Sequence, residues 1–146
     1  MNNYKLKEIK YNDYPILFKW ANDPVTRSSS FNSEFIKIGT HKKYVKSIIE
    51  DKSKKQYIFL MNHIPVATIK ENFLTDQIIE LSYTVSPEYR NMKIGYNMMK
   101  KYLSNKKGSF VCKVKQSNIS SIKMIEKCGF KLTSTENDIY QFTLKL

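Results

Sequence analysis

Between Val85 and Tyr96 the chain reads Val-Ser-Pro-Glu-Tyr-Arg-Asn-Met-Lys-Ile-Gly-Tyr, a strand end, a short loop and a helix start. Such a junction binds anions. The N–H groups of the loop and first helical turn, here Asn91, Met92, Ile94 and Tyr96 among them, have no partner inside the helix, and the helix dipole adds partial positive charge. Arg90 and Lys93 bring full charges to the same place, and Gly95 lets backbone or ligand approach closely. Arg90 and Arg27 are the only arginines in the chain. A planar guanidinium meets phosphate or carboxylate through two parallel hydrogen bonds, which lysine cannot do.

Two other segments carry groups suited to chemistry. Trp20-Ala-Asn-Asp-Pro-Val-Thr-Arg-Ser-Ser-Ser-Phe-Asn32, followed by His41, offers Arg27 to clamp a diphosphate or carboxylate, Trp20 or Phe31 to stack on a base or sugar, and Asn22 and His41 to bond hydroxyls. The same residues also read structurally, with Trp20 in the core, Asn22-Asp23-Pro24 as a helix stop and Arg27 as a surface charge. In Asn118-Ile-Ser-Ser-Ile-Lys-Met-Ile-Glu-Lys-Cys-Gly-Phe130, Asn118 and Ser121 open a helix, and taken alone Asn118 reads as its cap.

The elements that position these groups follow from periodicity. Alternation predicts strands at Tyr4–Lys10, Gln56–Met61, Ile64–Lys70, Gln77–Val85, Ser109–Lys115, Phe130–Ser134 and Ile139–Leu146. Helical spacing predicts one helix from Asp13 and Pro15 through Trp20, ended by Asn22-Asp23-Pro24. A second is capped by Thr40, a third runs from Ile94 to before Gly108, and a fourth from Asn118 to Cys128. Arg27 to Gly39 reads as a polar loop. The order indicates a single α+β domain over 1–146 with a mixed sheet.

Twenty-five basic and thirteen acidic residues give a net charge of +12, which suggests a polyanionic partner. Nucleic acid is not expected, since the aromatics are not interleaved with Lys or Arg along a strand face. No run approaches the ~18 apolar residues of a membrane span, and the start of the chain is polar and Lys-rich, so the expected location is cytoplasmic. Cys112 and Cys128 with His41 and His63 do not make a zinc site, and no metal is expected.

Residues 85–96 resemble the pyrophosphate loop of the GNAT acetyltransferases, Arg/Gln-x-x-Gly-x-Gly/Ala after a strand ending in Val-x-Pro. Arg90 and Gly95 match, and Lys93 stands at the family's first glycine. Asn118 to Phe130 is similar to the family's Asn-x-x-Ser helix ending in Gly-Phe. The resemblance implies a twisted sheet whose central strands, Gln77–Val85 and Ser109–Lys115, splay around acetyl-CoA. Leu81, Tyr83 and Val85 would then offer backbone to the pantetheine arm, which Asn118 would also bond. It implies Glu80 as the general base. The family's frequent acid, a Tyr four residues before the Gly-Phe glycine, is Ile125 here, which leaves Tyr140, or Tyr83 and solvent, for that role. The block from Trp20 to Arg27 looks like the Trp-x-Asn-Asp-Pro-x-x-Arg segment of acetyltransferases for nucleotide-linked amino sugars, and a related pattern occurs in protein Nα-acetyltransferases. A nucleotide amino sugar is therefore the expected acceptor, with a protein N-terminus or a small polyamine-like amine as the alternative. Oligomeric state stays open, a homodimer included.

Overall fold

Alternating apolar residues and turn signals form a seven-stranded sheet in the computed structural model, which describes residues 1–146. The strands are β1 (Tyr4–Glu8), β2 (Lys54–Met61), β3 (Ile64–Phe73), β4 (Ile78–Val85), β5 (Ser109–Lys115), β6 (Lys131–Glu136) and β7 (Ile139–Lys145), in the order β1-β2-β3-β4-β5-β7-β6. Only β4 and β5 run parallel. The helices are α1 (Tyr14–Ala21), α2 (Pro24–Ser29), α3 (Ile38–Glu50), α4 (Ile94–Leu103) and α5 (Ile119–Lys127), with short 3₁₀ turns at Tyr11–Asp13 and Pro87–Tyr89. The expected α+β class and mixed sheet are what the fold shows.

Helices cover both faces of the sheet. On one, Ile94, Met98, Met99 and Tyr102 of α4 and Ile125 of α5 join Phe59, Ile69, Leu81, Phe110 and Phe142 in the main core. Across the sheet, Leu17 and Trp20 of α1 pack with Val45 and Ile48 of α3 over Ile58 of β2. Each such side chain contributes about 1.5–3 kcal/mol of burial. None of the helices is long and apolar enough to cross a membrane.

The parting of β4 and β5 creates the site. They pair only from Ile78–Ser109 to Leu81–Cys112, although β4 continues to Val85 and β5 to Lys115. Gly108 sets their close start, since a Cβ there would lie 2.9 Å from the Gln77 carbonyl oxygen and the backbone has φ +113°. Ser109 N–H donates to Gln77 at 2.9 Å and Ser86 N–H to Val66 of β3 at 2.8 Å. Strand alternation therefore turns the backbone groups of odd-numbered β4 residues toward β5. Beyond Leu81 those of Tyr83 and Val85 face an open gap.

Two expectations are corrected. Arg27 to Gly39 is not all loop, because Asn-Asp-Pro both ends α1 and starts α2. The Asp23 side chain accepts from Thr26 N–H at 3.1 Å, and Pro24 occupies the first helical position. Thr40 is no cap either. Helix α3 begins at Ile38, with His41 N–H bonded to the Lys37 carbonyl at 2.9 Å.

Candidate active site

The gap opens into a cleft of about 900 Å³ that runs from the α4–α5 side of the sheet to the α1–α3 side. Its donor-side wall holds Leu81, Tyr83 and Val85 of β4, Arg90, Asn91 and Lys93 of the loop, Ile94, Gly95 and Tyr96 of α4, and Asn118 and Ser121 at the start of α5. Met92 belongs to the same loop but is exposed and off the wall.

No backbone N–H from Arg90 to Tyr96 donates to an acceptor within the chain, the first helical bond being Asn97 N–H to the Lys93 carbonyl at 3.0 Å. Asn91 (φ 61°) and Lys93 (φ 60°) are left-handed, which turns successive N–H groups inward as a concave anion nest. Lysine in that conformation costs roughly 1–2 kcal/mol that glycine would not. Asparagine adopts it more readily. At Gly95 a Cβ would meet Met124 and Val85 only at 3.5 and 3.6 Å, ordinary contacts, so the fold itself does not require glycine there. These donors fit a diphosphate.

Arg90 is placed differently from a free phosphate clamp. One Nη lies 2.5 Å from Asp23 Oδ2 and 3.1 Å from Thr26 Oγ1, tying the loop to the start of α2. Desolvation works to raise the Asp23 carboxyl, but hydrogen bonds from Arg90 and the Thr26 backbone outweigh it and hold the group below its ordinary value.

Asn118 accepts from Ser121 N–H at 3.4 Å as the cap of α5. Ser121 Oγ bonds the Tyr83 hydroxyl across the gap. Burial raises the Tyr83 phenol and keeps it protonated.

On the α1–α3 side, Arg27 donates to the Glu34 carbonyl at 3.1 Å and to Ser30 Oγ at 3.0 Å, while its buried Nε has no partner. Asn22 lies off the wall and grips the Ile36 backbone, accepting from its N–H at 2.7 Å and donating to its carbonyl at 2.8 Å. Trp20 is 1% exposed and braces the wall from within the core, whereas Phe31 is 60% exposed at the mouth. Sequence reasoning missed Tyr44, Gln56, Thr68, Lys70 and Lys113, which complete this side. Only their positions on core-forming strands and α3 hinted at it.

His41 lines the cleft and is buried, its Nε2 without a partner. Desolvation lowers its pKa, against a smaller opposing effect of the Tyr14 backbone. The unfolded chain therefore takes up the proton first, so stability is full above the ordinary histidine value near 6.5 and falls as pH drops through it. We expect melting temperature to decline below that pH at a slope of at most about 1.4 kcal/mol per unit from this group. In His41→Phe the decline should flatten; an unchanged profile would place the titration elsewhere.

Of the residues expected to move protons, Glu80 and Tyr140 stand off the wall and Tyr83 on it. Glu80 lies in the last paired stretch of β4, 3.6 Å from Lys113 Nζ. Tyr140 of β7 packs edge-on against Phe142 at 6.1 Å. Tyr83 is the tyrosine in the gap.

Residues 16–130 match the family model described as Acetyltransferase (GNAT) family. No curated protein matches the chain in sequence. Among solved structures, similarity extends to a domain from Methanocaldococcus jannaschii DSM 2661, with TM-score 0.84, 20% identity and all of both chains covered. Spermidine N-acetyltransferase from Vibrio cholerae in complex with CoA and spermine gives TM-score 0.86 at 12% identity, over 97% of this chain and 95% of that one. Campylobacter jejuni N-acetyltransferase PseH in complex with acetyl coenzyme A gives 0.75 at 19%, over 98% and 99%. The family match spans most of the chain and includes the loop, the parted strands and the start of α5, so this protein belongs to the GNAT family of acetyl-CoA-dependent N-acetyltransferases.

Proposed function

We propose that the acceptor is the amino group of a nucleotide-linked amino sugar. The observation carrying this reading is the charge of the cleft's acceptor side, whose wall includes Arg27, Lys70 and Lys113, while no Asp or Glu lines the cleft anywhere. Repulsion of like charge in a partly desolvated space disfavours a polyamine, whereas a molecule carrying phosphates is drawn in. Unpartnered Arg27 Nε and His41 Nε2 on the α1–α3 side suit a polar, hydroxyl-bearing acceptor.

Bound acetyl-CoA supplies a thioester-activated acetyl group. Backbone N–H groups of the parted β4, at Tyr83 and Val85, polarise the carbonyl without reorganising, which is worth most where water is excluded. Burial pushes the Cys112 thiol up to about 12, so no thiolate stands on the wall to accept the acetyl group and transfer goes directly to the amine. Glu80, on the acceptor face beside Lys113, takes the amine's proton through solvent. The Tyr83 hydroxyl, held by Ser121, protonates the leaving sulfur.

The test is CoA release with acetyl-CoA and UDP- or dTDP-linked 3-amino and 4-amino sugars, N-terminal peptides and spermidine. Turnover on a nucleotide sugar at least about 10-fold above spermidine is expected. Turnover confined to peptides would favour a protein-modifying enzyme, and turnover confined to spermidine would overturn the electrostatic argument.

A further inference from the structure

The block from Asn22 to Ile36 builds a closed loop out of its own polar side chains. Asn22 accepts from Ile36 N–H at 2.7 Å and donates to the Ile36 carbonyl at 2.8 Å, so two bonds from one side chain join positions 14 apart and bring the ends of the segment together. Arg27 reaches across the loop to the Glu34 carbonyl at 3.1 Å and to Ser30 Oγ at 3.0 Å. Ser30 Oγ in turn donates to the Thr26 carbonyl at 2.6 Å, and Asn32 Oδ1 accepts from Glu34 N–H at 3.0 Å. The chain is therefore pinned on either side of Phe31. Two further links fasten the loop to the body, Arg90 to Asp23 and Lys115 Nζ to the Ser28 carbonyl at 3.0 Å.

What this bracing holds in place is a ring that folding does not use. Phe31 lines the cleft, yet it is 60% exposed, belongs to neither core and pairs with none of the chain's other aromatic rings. Phe35, exposed on the same loop, differs, since it packs edge-on against Phe18 at 6.2 Å and lies off the wall. An exposed apolar ring held still at the mouth of a cleft gains most from a flat partner that covers its face, and it loses little freedom when one arrives. In a nucleotide-linked amino sugar the flat part is the base, and the diphosphate separates it from the sugar that carries the reacting amine. With the amine at the parted strands, the base falls toward the mouth. We infer that Phe31 is the stacking platform for the acceptor's base, and that Asn22 and Arg27 are positioning residues that hold it there. The inference rests on the nucleotide-sugar reading of the acceptor and adds which part of that molecule the loop recognises.

The test compares CoA release at saturating acetyl-CoA with UDP- and dTDP-linked 3-amino and 4-amino sugars and with the corresponding amino sugar 1-phosphates, which lack the nucleoside. In the parent, kcat/KM should be about 10-fold or more higher for the nucleotide-linked acceptor. Phe31→Ala should shrink that ratio to about 2-fold by raising KM for the nucleotide-linked acceptor alone, and Phe31→Trp should keep it. The ring is exposed, so the melting temperature should hold in both variants. Asn22→Ala should raise the same KM about as much while KM for acetyl-CoA stays put, a split that lost stability by itself does not produce. Equal or better turnover of the 1-phosphate by the parent, or an unchanged ratio in Phe31→Ala, would overturn the inference and leave the acceptor class standing. A parallel rise in KM for both acceptors would set the ring against the sugar and overturn the base assignment. Turnover of neither would overturn the acceptor reading and the inference with it.

Discussion

Arg90→Ala should lower stability by about 2 kcal/mol, a fall of roughly 4–8 °C in melting temperature, as well as weakening acetyl-CoA about 10-fold. The motif alone leads one to expect only the second effect, since Arg90 stands where a phosphate ligand belongs. In the fold its guanidinium is also the partner of Asp23, whose side chain is only 14% exposed and which at the same time caps α2. Removing the arginine strands a desolvated carboxylate, and that loss is larger than the worth of the pair itself. Asp23→Ala combined with Arg90→Ala should recover part of the deficit, with a coupling of about 1 kcal/mol or more in a double-mutant cycle. Unchanged melting in Arg90→Ala would dissolve the link between the loop and α2. Unchanged CoA affinity would remove Arg90 from the donor site.

The reason the sequence did not disclose this second role is general to the N-terminal block. Residue types were legible; their targets were not. Asn22 and Arg27 were visible as hydrogen-bonding groups suited to sugar or phosphate and Asp23 as part of a helix stop, yet Asn22 closes on the Ile36 backbone, Asp23 on Arg90, and Arg27 on Ser30 and Glu34. The Asn22 and Asp23 partners are set by tertiary proximity that no local pattern encodes, and those of Arg27 by the close of α2 and the turn after it. Helix α2 escaped notice because its six residues bury nothing and so show no apolar period. The sheet was legible because its strands alternate around one core, and β5 begins and ends at the expected residues. At the loop, Lys93 stands at the family's first glycine and takes a left-handed backbone that glycine adopts most easily, so the conformation there could not be read from the residue type.

The largest effect on catalysis should come from Glu80→Gln, with turnover reduced about 10²–10⁴-fold and acetyl-CoA affinity unchanged. Strand alternation sets Glu80 on the same polar face of β4 as Ser82 and Thr84, but alternation does not say where pairing ends. The ladder stops at Leu81–Cys112, one residue past Glu80, so its carboxylate sits at the root of the gap and not along its open wall. What connects it to the cleft is Lys113, 3.6 Å away and itself on the wall. No carboxylate is among the lining residues, and Glu80 stands just behind the wall on the acceptor face, paired with Lys113. A proton leaving the amine reaches it through solvent beside that lysine. Glutamine keeps the shape and removes the basicity, and Lys113→Ala tests the route separately, since the carboxylate then remains while its link to the wall is gone. Parental turnover in Glu80→Gln would eliminate this base. A comparable loss in His41→Asn, with Glu80→Gln silent, would transfer the role to the buried imidazole of α3.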